Sequence, residues 1–150
     1  MTVWLSKLGY EAVGVDISPT AIEWAIERAK DGGHKITFEC ADVLKLDFLE
    51  SGSFDLVLDG HCLHCIIGAD RALFLKEAFR VLKPGGYLLI DTMCDPVSGN
   101  MMEGYDPLTN CTYFEGVATR YFGPHEEIAN EVEAKLWPWI LWKPRRPIGT

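Results

Sequence analysis

The sequence lacks any long apolar run and any excess of basic charge. No stretch approaches the ~20 consecutive apolar residues that a membrane-spanning helix needs, and residues 1–9 contain no basic segment leading into an apolar one. The 14 Lys and Arg stand against 22 Asp and Glu, which gives a net charge of −8. Because so acidic a chain repels a phosphate backbone, we expect no nucleic-acid partner, and we expect no membrane association.

Cysteine is also sparse, and its number is odd. The five cysteines lie in apolar segments, at Cys40, Cys62, Cys65, Cys94 and Cys111. This pattern favours reduced, mostly buried thiols over a disulfide framework and predicts a cytoplasmic protein. The segment 61–65 holds four soft-metal ligands, but neighbouring residues after a strand point in different directions and no second cluster follows, so we expect no metal.

Apolar runs and helical patterns alternate through the first two thirds of the chain. Short apolar runs typical of strands cover residues 10–16, 36–41, 54–59 and 87–91. Helical spacing of apolar residues covers 19–30, after the capping Ser18, and 70–82, before the breaker Lys83-Pro84-Gly85-Gly86. The alternation predicts an α/β fold, a mostly parallel sheet with helices on both faces, and the length favours one domain over residues 1–150.

The remaining third is less regular. Residues 92–123 are predicted to form a long loop or lid with one strand at about 112–118. A last helix is expected from Pro124 to Ala134 or Leu136. The aromatic run 137–142 predicts an edge strand.

Three carboxylates follow three predicted strands, at Asp16, Asp42 and Asp59. Ligands of an open parallel sheet bind outside the carboxyl ends of its strands. A carboxylate there can accept hydrogen bonds from both hydroxyls of a ribose, which is the role expected for Asp16. Asp42 can accept from an exocyclic adenine amine while the neighbouring Val43 N–H donates to a ring nitrogen. These residues predict a nucleoside-binding edge.

Four segments resemble, in order and spacing, successive motifs of the class I S-adenosylmethionine (SAM)-dependent methyltransferases. They are Val13-Gly14-Val15-Asp16-Ile17-Ser18, Ala41-Asp42-Val43, Phe54-Asp55-Leu56-Val57-Leu58 and Arg80-Val81-Leu82-Lys83-Pro84-Gly85-Gly86. The resemblance covers roughly residues 1–95. It implies a Rossmann-like fold, SAM as cofactor, S-adenosylhomocysteine as product and a small-molecule methyl acceptor.

The resemblance also implies roles for individual residues. Asp16 would hold the ribose, Ile17 would pack on the adenine and Asp42 with Val43 would bind the adenine edge. Asp59, Gly60 and His61 would lie near the methionine portion. Candidate acceptor contacts, under a cover formed by residues 92–123, are His64, Met101, Tyr105 and Tyr121.

No catalytic residue is assigned. A sulfonium is already activated, so in-line positioning and desolvation can carry methyl transfer. A general base is needed only where the acceptor carries a proton, and His61, His64 and His125 are the available imidazoles.

The chain departs from this family at its start. Members carry a first strand followed by a glycine-rich loop, whereas residues 3–8 here resemble the end of the helix after that loop. We therefore expect a partial domain whose first strand, between the strands ending at Asp16 and Asp59, is missing. Either those strands close up, another chain supplies the strand, or the sequence is a fragment, which is the favoured interpretation. Exposed sheet edges also make a homodimer possible.

Two other functions remain open. A truncated or non-catalytic relative would serve as a scaffold or oligomer subunit if it cannot hold the cofactor. An NAD(P)-dependent oxidoreductase shares the acid-ended strand. It is less favoured, because no dehydrogenase-like catalytic group is present and Lys83-Pro84-Gly85-Gly86 before a strand is typical of the methyltransferases.

Overall fold

Helices and strands alternate along the part of the chain that the structure describes. The computed structural model describes residues 1–30, 36–97 and 99–136. Its helices are α1 (Thr2–Lys7), α2 (Pro19–Ala29), α3 (Asp70–Val81) and α4 (His125–Leu136), with short 3-10 turns at Leu63–Cys65 and Gly99–Met102. Its strands are β1 (Ala12–Asp16), β2 (Ile36–Cys40), β3 (Phe54–Gly60), β4 (Leu82–Asp91), β5 (Tyr105–Asp106), β6 (Cys111–Phe114) and β7 (Val117–Tyr121). The predicted α/β fold is confirmed.

The first parallel pair is β1 with β2, which run in register from Ala12 opposite Ile36 to Asp16 opposite Cys40. Helix α2 begins where predicted, because the Ser18 hydroxyl accepts a hydrogen bond from the Ala21 N–H at 3.3 Å. The next residue, Pro19, occupies the first turn, where its missing N–H costs nothing.

The second parallel pair is β3 with β4. Leu56 lies opposite Tyr87 and Gly60 opposite Asp91, but the register shifts between Phe54 and Leu56. Residues 83–86, expected to separate helix from strand, are instead the irregular start of β4. The left-handed φ of +81° at Gly85 lets the backbone absorb the extra residues there.

The expected helical cover on both faces is incomplete at β4. Helix α3 packs against this strand, and Ile90 contacts the core cluster. The alternate side chains Tyr87 and Leu89 are exposed, at 76% and 55%. In the described chain, the face of β4 that carries Tyr87 and Leu89 is therefore largely open to solvent.

The two parallel pairs do not join. Among the described residues, β1 pairs only with β2 and β3 only with β4, so the strands ending at Asp16 and Asp59 have not closed up. The expectation that they might do so is wrong. A strand needs a partner close enough for its N–H and C=O groups to bond, and these two edges lack one within this part of the chain.

The region after Thr92 holds a three-stranded antiparallel sheet, not the single strand expected at 112–118. Glu115 and Gly116 both have positive φ, 49° and 80°, and reverse the chain between β6 and β7. Such a turn is the tight connection that antiparallel strands favour. The final helix α4 lies where predicted, and the aromatic strand proposed for 137–142 lies outside the described residues.

The core joins both halves of the described chain. Its buried members come from the turn after β3, from α3 and from α4, namely Leu63, Phe74, Leu75 and Ile128. The cysteines are free, as expected. The expectation that most of them are buried is wrong, because Cys111 is buried, Cys62 is half-buried and the other three are exposed. No described helix combines the length and apolar character needed to cross a bilayer.

Candidate functional site

Two predicted ligand carboxylates lie side by side at the carboxyl edge of the β1–β2 pair. The Ala41 N–H donates to the Asp16 carbonyl at 3.0 Å, which joins the two strand ends. The Asp16 carboxylate accepts from Ser18 N at 2.8 Å, and the Asp42 carboxylate accepts from Leu44 N at 2.9 Å, each through Oδ1. Both side chains are exposed, and within the described chain no bond engages either Oδ2. Each carboxylate can therefore bond a ligand while it caps its own loop.

The apolar neighbours of these carboxylates differ in exposure. Ile17 is 70% exposed, an unusual position for an isoleucine beside a polar loop. Val43 is half-buried and packs against the core cluster. Ile17 thus offers an open apolar surface beside Asp16, whereas Val43 fixes the loop that carries Asp42.

Asp59, at the end of β3, is in a different state from the other two. Its side chain is buried, and its two oxygens accept from Cys62 N at 2.7 Å and Leu63 N at 3.3 Å. Burial raises the pKa of this carboxyl, while those two backbone bonds oppose the rise. Asp59 therefore organises the loop that follows β3, and Gly60 and His61 lie at the start of this loop.

His61 has a left-handed backbone, with φ of 70°, which is uncommon outside glycine. Its N–H donates to the Asp91 carbonyl at 3.1 Å, and its Nε2 lies 3.4 Å from the Asp91 carboxylate. The ring also meets the His64 ring edge to face, at 5.7 Å between centroids. The loop conformation thus ties the end of β3 to the end of β4.

His64 is buried rather than presented to solvent. Its Nδ1 has no hydrogen-bond partner among the residues that the structure describes, and burial, followed by the nearby His61, lowers the pKa of the imidazole. The ring is therefore neutral at neutral pH.

The Cys62 thiol indicates that the acids of both sheets converge. Burial raises its pKa to about 11, with further contributions from Asp59, Cys65, Asp16 and Asp42 in that order. Asp16 and Asp42 belong to one strand pair and Asp59 to the other, so negative charge from both strand pairs raises the pKa of this thiol. The structure thus brings the sequence-predicted acids to one region.

A cavity of about 540 Å³ lies beyond this loop, between the residues that follow the 3-10 turn at 63–65, the antiparallel sheet and α4. Tyr121 lines it, as an acceptor contact would. Tyr105 does not: its hydroxyl donates to Asn110 at 3.0 Å and its ring packs against Phe122. Met101 lies in the turn Gly99–Met102, and its side chain lies outside the described part of the chain.

Arg71 and Glu131 are the residues at this cavity that sequence patterns did not indicate. The buried Arg71 guanidinium bonds the Glu131 carboxylate at 2.7 Å and the Leu63 carbonyl at 2.8 Å, and it lies 4.5 Å from the centre of the Tyr121 ring. The partners are far apart in sequence, and each reads locally as an ordinary charged helix residue. The one weak sequence signal for this cavity is the group of aromatic residues in the segment 113–122, which includes Tyr121.

No group of three or more His, Cys, Asp and Glu side chains in the described ranges lies close enough to hold a metal ion.

A family model described as a methyltransferase domain matches residues 1–90, more than half of the chain. Among curated proteins, the chain is 38% identical over 91 residues to tocopherol O-methyltransferase of Arabidopsis thaliana, a match that covers 59% of this chain and 25% of that protein. The chain spans less than half the length of the first curated relatives it matches, at 25% and 46%.

Solved structures share the fold. A Pyrococcus horikoshii protein superposes with a TM-score of 0.70 at 24% identity, covering 87% of this chain and 65% of that one. The Burkholderia thailandensis 1,6-didemethyltoxoflavin-N1-methyltransferase, solved with S-adenosylhomocysteine, superposes with a TM-score of 0.63 at 24% identity, covering 89% of this chain and 53% of that one.

Proposed function

The chain belongs to the methyltransferase domain family, and from that premise we propose that it transfers a methyl group from SAM to a small-molecule acceptor, leaving S-adenosylhomocysteine. The observation that carries this proposal is the pair of exposed carboxylates, Asp16 and Asp42, at the carboxyl edge of the β1–β2 pair, each with one oxygen bonded to its own loop. Two exposed carboxylates with a free oxygen each suit the hydroxyl and amine donors of an adenosine.

The cofactor assignments follow from this arrangement. Asp16 accepts from the ribose hydroxyls, and the exposed Ile17 packs on the adenine face. Asp42 and the backbone of Val43 bind the adenine edge. Gly60 and His61, held in place by the buried Asp59, lie near the methionine portion.

The acceptor lies on the far side of the loop after β3, beneath residues 99–121. Tyr121 is its best-supported contact, with His64 and Met101 as further candidates; Tyr105 is not favoured, because it faces Phe122. The printed names of the similar proteins include an O-methyltransferase and an N1-methyltransferase, and the structure of the second holds S-adenosylhomocysteine. The relatives thus support the cofactor and leave the acceptor atom open.

When bound, SAM supplies the activated methyl group. The residues of this chain bind and orient SAM and the acceptor, and they exclude water. Methyl transfer between two bound reactants depends on their in-line geometry. No side chain is assigned to proton transfer. The buried His64 is neutral and lies in the loop that Asp59 organises, next to Leu63, so its role is to support that loop.

A second candidate is a non-catalytic scaffold that does not hold the cofactor. The unpaired edges of β1 and β3 favour it, since no described strand lies between the Asp16 and Asp59 loops. For either candidate we propose that the chain is cytoplasmic, in keeping with its five free thiols. The open edges of β1 and β3 would permit a homodimer.

Calorimetric titration with S-adenosylhomocysteine separates the two candidates. We expect binding that weakens about 10- to 100-fold in Asp16→Asn, because hydrogen bonds to a charged group are lost. Asp47→Asn is the matched control: this exposed aspartate lies in a turn, not at the end of a strand, and among the described residues its ion-pair partner is Lys45 at 3.5 Å. Absence of binding by the folded wild type would leave the scaffold, and equal weakening in both variants would contradict the role of Asp16.

A further inference from the structure

The cavity beside Arg71 carries a charge pattern that selects among ligands. Its charged and aromatic lining consists of one guanidinium, Arg71, and two carboxylates, Glu127 and Glu131, together with the rings of Tyr113 and Tyr121. Two carboxylates against one guanidinium leave the lining with a net negative charge.

Four of the five N–H groups of the guanidinium already bond acceptors of the described chain, so it has little capacity left for an anion. Its Nε and Nη2 bond the Glu131 carboxylate, at 3.1 Å and 2.7 Å, and its Nη1 bonds the carbonyls of Leu63 at 2.8 Å and Ile66 at 3.3 Å. The Tyr121 ring covers one of its faces at 4.5 Å. A ligand cannot use the N–H groups of Arg71 that already make these bonds.

Glu127 is the carboxylate that remains for a ligand. It is exposed, and its bond within the described chain is a weak one from the Tyr121 hydroxyl at 3.4 Å. Burial, and then the charge of Glu127, raise the pKa of Tyr121, so its phenol stays neutral and keeps its proton toward the carboxylate. A carboxylate beside two neutral aromatic rings is the setting in which organic cations bind, through charge and through the ring faces.

We propose that this cavity binds a small molecule through an ammonium group, recognised by Glu127 and the Tyr113 ring; the Tyr121 ring, which already carries the Arg71 guanidinium, lines the cavity beside them. The inference rests on the proposed function, since the bound molecule is then the methyl acceptor or the part of it that positions the reacting atom. A volume of about 540 Å³ accommodates a compound of this class.

Two hydrogen bonds within the protein connect this cavity to the loop of the cofactor site. Arg71 holds the Leu63 carbonyl from the cavity side, and the Asp59 carboxylate holds the Leu63 N–H from the other side, at 3.3 Å. The residue between the two sites is thus fixed from both directions, which places an acceptor in the cavity next to the loop carrying His61.

The test uses choline as the probe and its neutral isostere dimethylbutanol, in which carbon replaces the charged nitrogen. Titrations of the whole chain are followed by the NMR signals of the tyrosine rings. We expect choline to shift the signals of Tyr113 and Tyr121 and dimethylbutanol to bind about tenfold more weakly. Glu127→Gln should weaken choline binding roughly three- to fivefold. Glu126→Gln removes the same charge from the same turn of α4, outside the cavity lining, and should leave binding unchanged.

Equal binding of the two probes, an unchanged affinity in Glu127→Gln, or shifts produced by inorganic phosphate instead would each overturn the inference. Calorimetry with S-adenosylhomocysteine on the same samples keeps the two proposals apart. If the nucleoside binds and choline does not, the cavity proposal fails and the methyltransferase proposal stands. If choline binds and the nucleoside does not, the cation site stands and the methyltransferase proposal fails.

Discussion

At the scale of single residues, three aspartates that look alike in the sequence have different states in the structure. Asp16 and Asp42 are exposed and use one oxygen each on their own loops. Asp59 is buried and uses both. A carboxylate that is fully engaged by backbone N–H groups shapes a loop, whereas one with an open oxygen can also hold a ligand. The difference arises from burial and loop geometry, which the residue type does not encode.

The Cys62 thiol offers a direct measure of this region. With a pKa raised from the usual 9.0 to about 11, its thiolate at pH 8 is about a hundredfold scarcer than that of an ordinary cysteine. Because the thiolate is the nucleophile, we expect iodoacetamide to alkylate Cys62 far more slowly than the exposed Cys40, as followed by peptide mass spectrometry. The double variant Asp16→Asn, Asp42→Asn should speed the Cys62 reaction modestly, since burial is the larger cause.

In denaturant the two cysteines should react alike, which serves as the control. Equal rates for Cys62 and Cys40 in the folded protein would show that the thiol is neither buried nor surrounded by the three acids.

Asp16 and Asp42 were predictable because each directly follows an apolar strand, and the end of a parallel strand fixes where a side chain lies. Arg71 and Glu131 were not. Their pairing depends on α4 packing against α3 across 60 residues of chain, and no local pattern encodes that contact.

At the scale of elements, helix α3 fixes the loops on both sides of it through two arginines. Arg80 donates to the carbonyls of Leu46 and Leu49, at 2.7 Å and 2.8 Å, and its hydrogen bonds hold the pKa of Glu77 below its usual range. Arg71, at the other end of α3, holds the turn at 63–65 in the same way. The loops that carry the site are therefore anchored to one helix.

Replacing Arg71 tests this anchoring. Arg71→Met keeps the apolar stem but leaves Glu131 and the Leu63 carbonyl without their donor, so we expect a loss of about 2–3 kcal/mol in the free energy of unfolding. Glu131 is 28% exposed, which is why the figure lies below that for a fully buried pair. Urea unfolding followed by tryptophan fluorescence measures it.

Lys76→Met, on the exposed face of the same helix, is the matched control and should change stability by less than about 0.5 kcal/mol. A similar small change in Arg71→Met would mean that α4 and the 63–65 turn hold together without the ion pair.

Most elements up to Asp91 follow from the sequence because apolar periodicity and the Ser18 cap agree locally. The antiparallel sheet at 105–121 does not. Its turn at Glu115 uses a left-handed non-glycine residue, and its strands alternate too briefly to stand out from a loop. The sequence therefore predicts a covering segment in this region but not the three antiparallel strands that form it.

At the scale of the molecule, the described chain has two parallel strand pairs that share a core but no ladder. Leu63 from the turn after β3 packs in the cluster that Val43, from the loop after β2, also contacts. Side-chain packing, rather than backbone pairing, thus holds the two carboxyl edges near each other. The position of Asp16 relative to Asp59 is accordingly set by loops.

The open edges of β1 and β3 make a prediction about backbone protection. In a parallel pair each strand directs alternate N–H groups toward its partner, so the others in β1 and β3 face the gap between the sheets. At low protein concentration we expect these amides to exchange with deuterium much faster than their neighbours, as resolved by NMR. If the proposed homodimer forms through these edges, their protection must increase with protein concentration, while the amides bonded within each pair stay unchanged. Protection at every concentration would instead mean that the edges are already covered within one chain. Rapid exchange at every concentration would rule out association through these edges. The cofactor would then bind a monomer in which side chains alone join the β1–β2 and β3–β4 pairs.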